Sequence, residues 1–368
     1  MKLSYNIDKI NHKVILCKNK EAYDIKKQLK RNYSDKKVLI IIDKNLNHKF
    51  SKYLFKDVKS TGGVKLSVLK VNASKANKTE ILLFKILDIL IEKKFTKKSV
   101  IISCGGGVIG DVSALASSLY LRGLTYYHIP TTMTAIVDSC IGGKTGINYK
   151  NIINSVGNYY HPKNVFISKN VINLIPNREF FAGIPEVLKC GVINDKKILS
   201  LLENNREKLF SRNYIFLKDL IFKTLKTKIK YFKNDIYENS SRLKLNFGHT
   251  FAHAIEMALQ TKKKDILRHG EAVGMGMLCE IFYTGNLKIF KKVNNLLRFY
   301  NLPTNLKKLI KGRNKKILIN QIYKNIFLDK KRINNYPRCI KINKIGHSKI
   351  IEMKDNSKIK KTIKKVLF

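Results

Sequence analysis

Acidic residues, tryptophan and long apolar runs are scarce in this sequence of 368 residues. Asp and Glu number 26 against 73 Lys and Arg, which gives a net charge of +47, and Trp is absent. No apolar run reaches the ~18 residues that a transmembrane helix needs, and the start, MKLSYNIDKI, lacks the apolar core of a signal peptide. We therefore expect no membrane association. Hydrophobic residues make up 44%, which excludes a disordered chain.

Cysteine is also sparse, and the sequence contains no CxxC pair. This pattern favours reduced thiols in a cytoplasmic protein. The six cysteines are Cys17, Cys104, Cys140, Cys190, Cys279 and Cys339.

The basic excess is spread along the whole chain, together with many Asn and Ile. Lys, Asn and Ile are all specified by A/T-rich codons, so genome composition explains the charge. Because a nucleic-acid-binding surface needs a localised basic patch, we expect no specific nucleic-acid binding. The positive charge would still attract anionic substrates.

The residues between 101 and 146 carry three glycine clusters. An apolar run ends in Gly105–Gly107 and is followed by a helical pattern from residue 112 to 121, an order that presents backbone N–H groups to a phosphate. A second apolar run ends at Pro130, and the third cluster carries Lys144. No acidic residue follows ~20 positions later as in dinucleotide folds. Asp138 also occupies the first glycine position of a Walker A loop, so we expect a nucleotide or phosphate site of another pattern.

Apolar periodicity divides the chain near residue 176. Before it, short apolar runs at 38–42, 64–71, 99–103 and 124–129 alternate with helical patterns such as 80–92. After it, helical patterns cover 178–191, 198–209, 215–232, 251–260 and 272–283. We expect an α/β fold, with a Rossmann-like, mostly parallel sheet in 1–176 and a mainly α-helical metal-binding domain in 177–368. The end, residues 357–368, is expected to form a surface helix or a frayed tail.

Three histidines and a glutamate form the second candidate site. His249 and His253 lie four residues apart on one helix face, His269 opens a later helix, and Glu186 precedes Lys189 by one turn. Two His and one Glu can bind a catalytic zinc ion with an open position. The HExxH spacing is absent, and an i,i+4 histidine pair can also cap or pack a helix, so the residues alone leave both interpretations open.

Seven blocks of this sequence together resemble 3-dehydroquinate synthase. Their order and gaps agree with that family over nearly the full chain. The blocks are GGGVIGD at 105–111, YLRG at 120–123, PTT at 130–132, VDSCIGGKTGIN at 137–148, AGIPEVLKCG at 182–191, LNFGHTFAHAIE at 245–256 and HGEAVGMGM at 269–277.

The resemblance implies a zinc- and NAD-dependent lyase of the shikimate pathway, which leads to chorismate and the aromatic amino acids. Such an enzyme converts 3-deoxy-D-arabino-heptulosonate 7-phosphate to 3-dehydroquinate and phosphate. The implied sequence is transient oxidation by NAD, elimination of phosphate, return of the hydride, ring opening and intramolecular aldol closure. NAD is recycled, and Co²⁺ is an alternative metal.

The resemblance also assigns residues to roles. It implies metal ligands at Glu186, His249 and His269, and a homodimer in which Arg122 reaches the phosphate of the neighbouring subunit. The implied catalytic and substrate-binding residues are Lys144, Asn154, Lys189, Lys228, Arg242, Asn246, His253 and one lysine of the Asp329-Lys330-Lys331 segment, for which we choose Lys330. The implied NAD-binding residues are Asp43, Asn45, Lys78, Gly105, Gly106, Gly107, Val108, Ile109, Gly110, Asp111, Thr131, Thr132, Asp138, Lys144 and Glu179.

Three positions depart from the family pattern, and all concern the cofactor. Lys75 stands where the family has an acidic residue, Ile153 where it has a lysine, and Leu174 where it has a threonine. We expect weaker NAD binding with the chemistry retained. The alternatives are another sugar-phosphate cyclase, a metal-dependent polyol dehydrogenase, a basic nucleic-acid-binding protein and a decayed enzyme.

Overall fold

The computed structural model describes residues 1–17, 25–29, 37–46, 48–150, 152–259, 266–310, 312–328 and 336–368, without the side chains of residues 49, 57 and 75. The chain divides into two compact units, Met1–Phe180 and Phe181–Phe368. The sequence places the boundary at residue 176. None of the helices in the described ranges combines the length and apolarity that crossing a bilayer requires.

A seven-stranded sheet forms the centre of the first unit. Its strands are β1 (Lys2–Ile7), β2 (Ile10–Leu16), β3 (Lys37–Asp43), β4 (Lys65–Val71), β5 (Val100–Gly105), β6 (Thr125–Pro130) and β9 (Asn164–Ile167). Their order across the sheet is β1-β2-β9-β6-β5-β3-β4. Only β1 and β2 pair in antiparallel fashion, whereas the other neighbours are parallel. A separate hairpin contains β7 (Ile147–Tyr149) and β8 (Ile152–Val156).

Helices cover both faces of this sheet. Leu39 of β3 belongs to a buried cluster with the helix Glu80–Glu92, whereas its neighbour Ile40 belongs to the cluster on the opposite face with the helix His48–Lys59. Strands buried on both faces appear in the sequence as continuous apolar runs, which is why the runs predict a parallel sheet. The expected fold class is confirmed for this part of the chain.

The carboxyl ends of neighbouring parallel strands lie at one edge of the sheet. Because β3, β5 and β6 are adjacent, Asp43, Gly105 and Pro130 end side by side there. The helix Gly107–Leu119 begins directly after β5. Ligands in open α/β sheets bind at this edge.

The second unit is mainly helical, as expected. Its helices are Ile184–Ile193, Lys196–Asn204, Arg206–Phe210, Tyr214–Phe232, His249–Leu259, His269–Thr284, Leu287–Phe299, Lys315–Ile326 and Asn356–Thr362. It also contains a hairpin of β10 (Arg338–Lys344) and β11 (His347–Glu352), which we did not predict. The predicted helix 178–191 is divided into Asn177–Phe181 and Ile184–Ile193, with Pro185 in the first turn of the second helix, where its missing N–H costs nothing.

Residues 357–367 are helical, as one of the two expected alternatives has it, and they do not form a frayed tail. Ile359, Ile363 and Leu367 are all 0% exposed, so this segment packs into the second unit. The backbone N–H of Leu306 donates to the carbonyl of Leu367 at 2.9 Å. The lysines point outward around a buried apolar stripe, so the tail is a packed amphipathic helix.

Candidate metal centre and nucleotide site

Glu186, His249 and His269 each lie in the first turn of a different helix of the second unit. One ligand atom from each of the three lies within 4.8 Å of the others. His249 Nε2 is 3.7 Å and His269 Nε2 is 3.5 Å from Oε1 of the fully buried Glu186. The structure therefore brings together the three residues to which the sequence assigns a metal.

The hydrogen bonds of the two imidazoles determine which nitrogen faces the carboxylate. His249 Nδ1 lies 3.3 Å from the carbonyl of Phe247, and His269 Nδ1 lies 3.0 Å from Oε2 of Glu256. Both partners can only accept, so each Nδ1 carries a proton, and in the neutral imidazole each Nε2 then presents a lone pair to Glu186. This arrangement of ligand and outer acceptor is typical of metal-bound histidines.

The remaining geometry agrees with a tetrahedral metal ion. Bonds of about 2.0–2.1 Å from zinc to nitrogen and oxygen place ligands about 3.3 Å apart, close to the distances here. Lys189, itself 1% exposed, forms an ion pair with Oε2 of Glu186 and leaves Oε1 facing the two imidazoles. Three protein ligands leave one position open, so the set fits a catalytic zinc or cobalt ion.

Glycines in the HGEAVGMGM segment allow the ligand helices to approach one another. A Cβ at Gly270 would overlap the carbonyl oxygen of Ala182, and one at Gly276 would overlap the carbonyl oxygen of Gly248. Ala182 precedes the Glu186 helix, and Gly248 precedes His249. These close contacts place the starts of the Glu186 and His249 helices against the helix that begins at His269, which the sequence motif alone does not reveal.

Several of the residues expected to bind an anionic substrate also lie in the second unit, whereas Lys144 and Asn154 lie in the first. Lys228 and Arg242 are 7% and 2% exposed, and charges buried to this degree need a partner. Arg242 Nη1 donates to the carbonyl of Ile236 at 2.5 Å. The ring of His253 lies 5.5 Å from that of His249, and Asn246 ends the short 3₁₀ helix just before His249.

Asp235 organises the loop that carries Arg242, and sequence analysis missed it. Its carboxylate accepts hydrogen bonds of 2.8 Å from the backbone N–H groups of Asn239, Ser240 and Arg242. Burial disfavours the charged form, but these hydrogen bonds outweigh it and lower the pKa of Asp235.

Two further carboxylates at the site were also missed. Glu238 accepts a hydrogen bond of 2.7 Å from Nδ2 of Asn246, and Glu256 is the acceptor beside His269. Glu256 belongs to the LNFGHTFAHAIE block and lies two turns after His249 on the same helix. The sequence could have indicated Glu256, because residues seven apart on a helix lie on the same face.

The glycine turn in the first unit leaves no room for a side chain at Gly105 and little at Gly106. A Cβ at Gly105 would lie 2.5 Å from Cγ1 of Ile109, and one at Gly106 would lie 3.0 Å from Cγ2 of Thr132. The N–H of Thr131 donates to the carbonyl of Gly105 at 3.0 Å, which joins the two loops. Backbone N–H groups at the start of a helix, without side chains over them, suit a pyrophosphate.

Lys78 joins two residues from separate motifs. Its ammonium lies 2.5 Å from Asp111 Oδ2 and 2.5 Å from the side-chain oxygen of Asn154. Asp111 belongs to the GGGVIGD block and Asn154 to β8. The structure therefore places Asn154, expected at the substrate, in one cluster with two residues expected at NAD.

The other predicted nucleotide and substrate residues occupy varied positions. At the end of β3, Oδ1 of Asp43 accepts a hydrogen bond of 3.0 Å from the N–H of Asn45. Ile109 is fully buried, whereas Val108 in the same turn is half-buried. Asp138 and Glu179 are half-buried, and Lys144 is exposed.

Arg122, which the resemblance places at a dimer contact, and two of the positions that depart from the family lie at the surface of the first unit. Arg122 is exposed and has a φ of +60°, next to Leu121 at +49°. Ile153 and Leu174 are 40% and 47% exposed. The Lys75 side chain and Lys330 lie outside the described part of the structure.

Two comparisons bear on this geometry. Residues 68–182 match the family model for the 3-dehydroquinate synthase N-terminal domain, and residues 183–332 match that for the C-terminal domain. The chain is 35% identical over 365 residues to the 3-dehydroquinate synthase of Pelagibacter ubique, covering 97% of this chain and 96% of that protein. It is 33% identical over 357 residues to the 3-dehydroquinate synthase of Clostridium kluyveri, covering 96% and 95%.

Solved structures share the fold. A 2-epi-5-epi-valiolone synthase from Streptomyces hygroscopicus, determined with NAD⁺ and Zn²⁺, has a TM-score of 0.82 at 20% identity over 97% of both chains. A 2-deoxy-scyllo-inosose synthase, determined with carbaglucose-6-phosphate, NAD⁺ and Co²⁺, has a TM-score of 0.82 at 21% identity over 100% of both. Both halves of the family model and nearly full-length relatives agree in one conclusion: the chain belongs to the 3-dehydroquinate synthase family.

Proposed function

We propose that this protein is a 3-dehydroquinate synthase that uses Zn²⁺ and NAD to convert 3-deoxy-D-arabino-heptulosonate 7-phosphate to 3-dehydroquinate and phosphate. The observation that carries the proposal is the convergence of Glu186 and two histidine lone pairs in a chain of this family. Co²⁺ could replace Zn²⁺, because both accept nitrogen and oxygen ligands.

The side chains of the second unit have distinct roles in this reaction. When bound, the metal polarises the substrate hydroxyls for hydride transfer to NAD. Lys228 and Arg242 bind the anionic carboxylate and phosphate of the substrate, and Asn246 orients it through a hydrogen bond. Lys189 offsets the charge of buried Glu186. His253, which lies beside the ligand histidines, holds and transfers a proton at its imidazole. The Asp329-Lys330-Lys331 segment supplies a further cation for the phosphate.

The first unit binds NAD in this proposal. Gly106 and Gly107 admit the pyrophosphate, Asp43 accepts a hydrogen bond from a ribose hydroxyl, and Lys78 and Asp111 hold the loops of the site together. Ile153 contributes no cation there, so NAD binding is weak. Restoring the family pattern with Lys75→Glu and Ile153→Lys should lower the dissociation constant of NAD, and an unchanged constant would contradict this explanation.

A homodimer fits the surface of the first unit. Ile81, Phe84 and Ile91 form an exposed apolar stripe on the helix Glu80–Glu92. The hydroxyl of Tyr120 donates to the carbonyl of Leu90 at 3.1 Å, so the turn carrying Arg122 is attached to that helix. A second copy packed on the stripe would bring Arg122 toward a neighbouring site. The cysteines in the described residues are free and buried, which agrees with a cytoplasmic location.

The decisive assay follows phosphate release from 3-deoxy-D-arabino-heptulosonate 7-phosphate, with zinc and a wide range of NAD concentrations. Release that requires both, with 3-dehydroquinate identified by a coupled dehydratase, is the expected result. The control is Glu186→Gln, which should lose activity and zinc. No release from folded, zinc-loaded protein at saturating NAD would refute the proposal. Release from a hexose phosphate or another heptulose phosphate instead would indicate a different cyclase, although retained Arg242, Lys228 and Asn246 favour a substrate with a carboxylate.

A further inference from the structure

A buried polar cluster lies beneath the glycine turn of the first unit. It consists of Ser103 on β5 and of Tyr126 and His128 on β6, with exposures of 0%, 3% and 2%. Ser103 and His128 are directly opposed in the pairing of the two strands. Polar groups at this depth destabilise a sheet core unless they are hydrogen-bonded, so the cluster calls for a physical explanation.

The hydrogen bonds of the cluster run in one direction. Ser103 Oγ lies 2.6 Å from the Tyr126 hydroxyl and 2.6 Å from His128 Nδ1, and the Tyr126 hydroxyl donates to the carbonyl of Gly110 at 3.1 Å. That carbonyl can only accept, so the tyrosine proton is used there. The serine proton is then donated to the tyrosine oxygen, and His128 must donate from Nδ1 to the serine oxygen.

The ring of His128 packs against Gly110, the residue whose carbonyl accepts the hydrogen bond from Tyr126. A Cβ at Gly110 would lie 3.2 Å from Cε1 and 3.3 Å from Nε2 of His128. The Cε1–Nε2 edge of the ring therefore lies against the α-carbon of Gly110. The hydroxyl of Tyr126 and the ring of His128 thus both end at Gly110, in the first turn of the helix Gly107–Leu119.

The charges of the cluster are also defined. Burial lowers the pKa of His128 to about 4, although a hydrogen bond with the Ser103 backbone acts in the opposite direction. Burial likewise raises the pKa of Tyr126, against the effect of its bond to Ser103. Both side chains are therefore neutral at physiological pH, as the order of protons requires.

We propose that Ser103, Tyr126 and His128 form a positioning network, with His128 protonated at Nδ1, that holds the glycine turn in its NAD-binding conformation. The inference rests on the proposed function, in which this turn receives the pyrophosphate. The N–H groups of the turn must point together at the ligand, and the amide of Gly110 is bonded to the carbonyl of Gly106 at 3.0 Å. The hydrogen bond from the Tyr126 hydroxyl to the Gly110 carbonyl therefore restrains the turn.

Direct NAD binding to the full-length protein provides the test, with Tyr126→Phe as the main variant. The loss of one hydrogen bond to the turn should raise the dissociation constant of NAD about fivefold, or about 1 kcal/mol. Tyr127→Phe is the matched control, since it removes the same atom from the next residue of β6, whose ring packs against Phe166 on the opposite face. This control should keep the wild-type dissociation constant. Equal constants for wild type, Tyr126→Phe and Tyr127→Phe would overturn the proposal.

Two further measurements separate positioning from general stability. His128→Asn keeps a donor at the Nδ1 position and should retain the wild-type affinity for NAD. His128→Leu removes the donor and should weaken NAD binding. Nitrogen NMR of the wild-type protein should show the His128 proton on Nδ1, and a proton on Nε2 would contradict the network. If the wild-type protein binds no NAD while the Nδ1 tautomer is observed, the proposed function fails and the network stands only as structure.

Discussion

Glu256 allows the metal centre to be tested without removing a ligand. Its Oε2 accepts the Nδ1 proton of His269 at 3.0 Å, and its side chain is 12% exposed. Glu256→Leu leaves that proton without an acceptor, so the imidazole can rotate or move its proton to Nε2, which blocks the metal-binding lone pair. Glu256→Gln keeps an acceptor oxygen and removes only the charge.

The expected magnitudes follow from this difference. Loss of an outer acceptor typically weakens metal binding by about 10- to 100-fold, which is about 1.4–2.7 kcal/mol. We expect that range for Glu256→Leu, and a loss of about threefold for Glu256→Gln, because the hydrogen bond persists but is weaker without the charge.

The assay is competition for Zn²⁺ against a chromophoric chelator at neutral pH, with circular dichroism as a check of folding. Glu203→Leu is the control, because Glu203 pairs with Lys292 at 2.6 Å at the surface of the same unit. It should bind zinc as the wild type does. Wild-type zinc affinity in folded Glu256→Leu would refute the claim that the Nδ1 bond orients His269.

Three other perturbations test the surrounding structure. Folding lowers the pKa of Asp235 from its ordinary value of 3.8. The hydrogen bonds of the ionised carboxylate therefore stabilise the fold fully above pH 3.8, and this stabilisation is lost as the pH falls through the lowered pKa of the folded protein. Asp235→Asn should therefore cost about 2 kcal/mol in urea unfolding at neutral pH, with a cost that shrinks in acid; a cost independent of pH would contradict this. Gly270→Ala should lower the free energy of unfolding by about 3 kcal/mol or more and weaken zinc binding, because the added Cβ would overlap the Ala182 carbonyl. A wild-type melting temperature for this variant would argue against that contact. Leu367→Ala should lower the free energy of unfolding by about 2–5 kcal/mol, whereas the control Ile317→Ala, at an exposed residue, should lower it by about 0.5 kcal/mol. Equal losses would mean that the tail is not packed.

The parallel sheet could be predicted because its strands are buried on both faces. Val38 to Ile42 is an unbroken apolar run, and such runs bounded by turn residues leave few alternatives. The glycine turn could also be predicted from the sequence, because a glycine cluster directly after a strand allows the backbone to approach a ligand closely.

The missed elements depend on weaker or tertiary signals. β1 alternates exposed and buried residues, with Leu3, Tyr5 and Ile7 inward, but six residues are too few to separate a strand from chance. In the tail, Ile359, Ile363 and Val366 have helical spacing, yet the surrounding lysines drew the prediction toward a solvated end. Asp235 could not be predicted, because its partners are backbone N–H groups whose direction only the folded loop defines.

The scarcity of acidic residues makes the buried carboxylates informative. Among the described residues, Glu186, Asp235, Glu271 and Glu280 are the buried acids. Asp235 accepts three backbone N–H groups. Glu271 accepts that of Arg268 at 2.9 Å, and Glu280 accepts that of Ile340 at 2.8 Å.

Glu186 differs from these three, because its oxygens face the ammonium of Lys189 and two imidazoles instead of backbone N–H groups. The ammonium of Lys189 offsets one charge, and the Nε2 atoms of His249 and His269 lie 3.7 Å and 3.5 Å from Oε1 of the same carboxylate. A buried charge persists only where its loss of hydration is compensated. A divalent cation bound by Glu186, His249 and His269 would supply that compensation, and the ligand atoms of the three side chains lie within 4.8 Å of one another, as such a site requires.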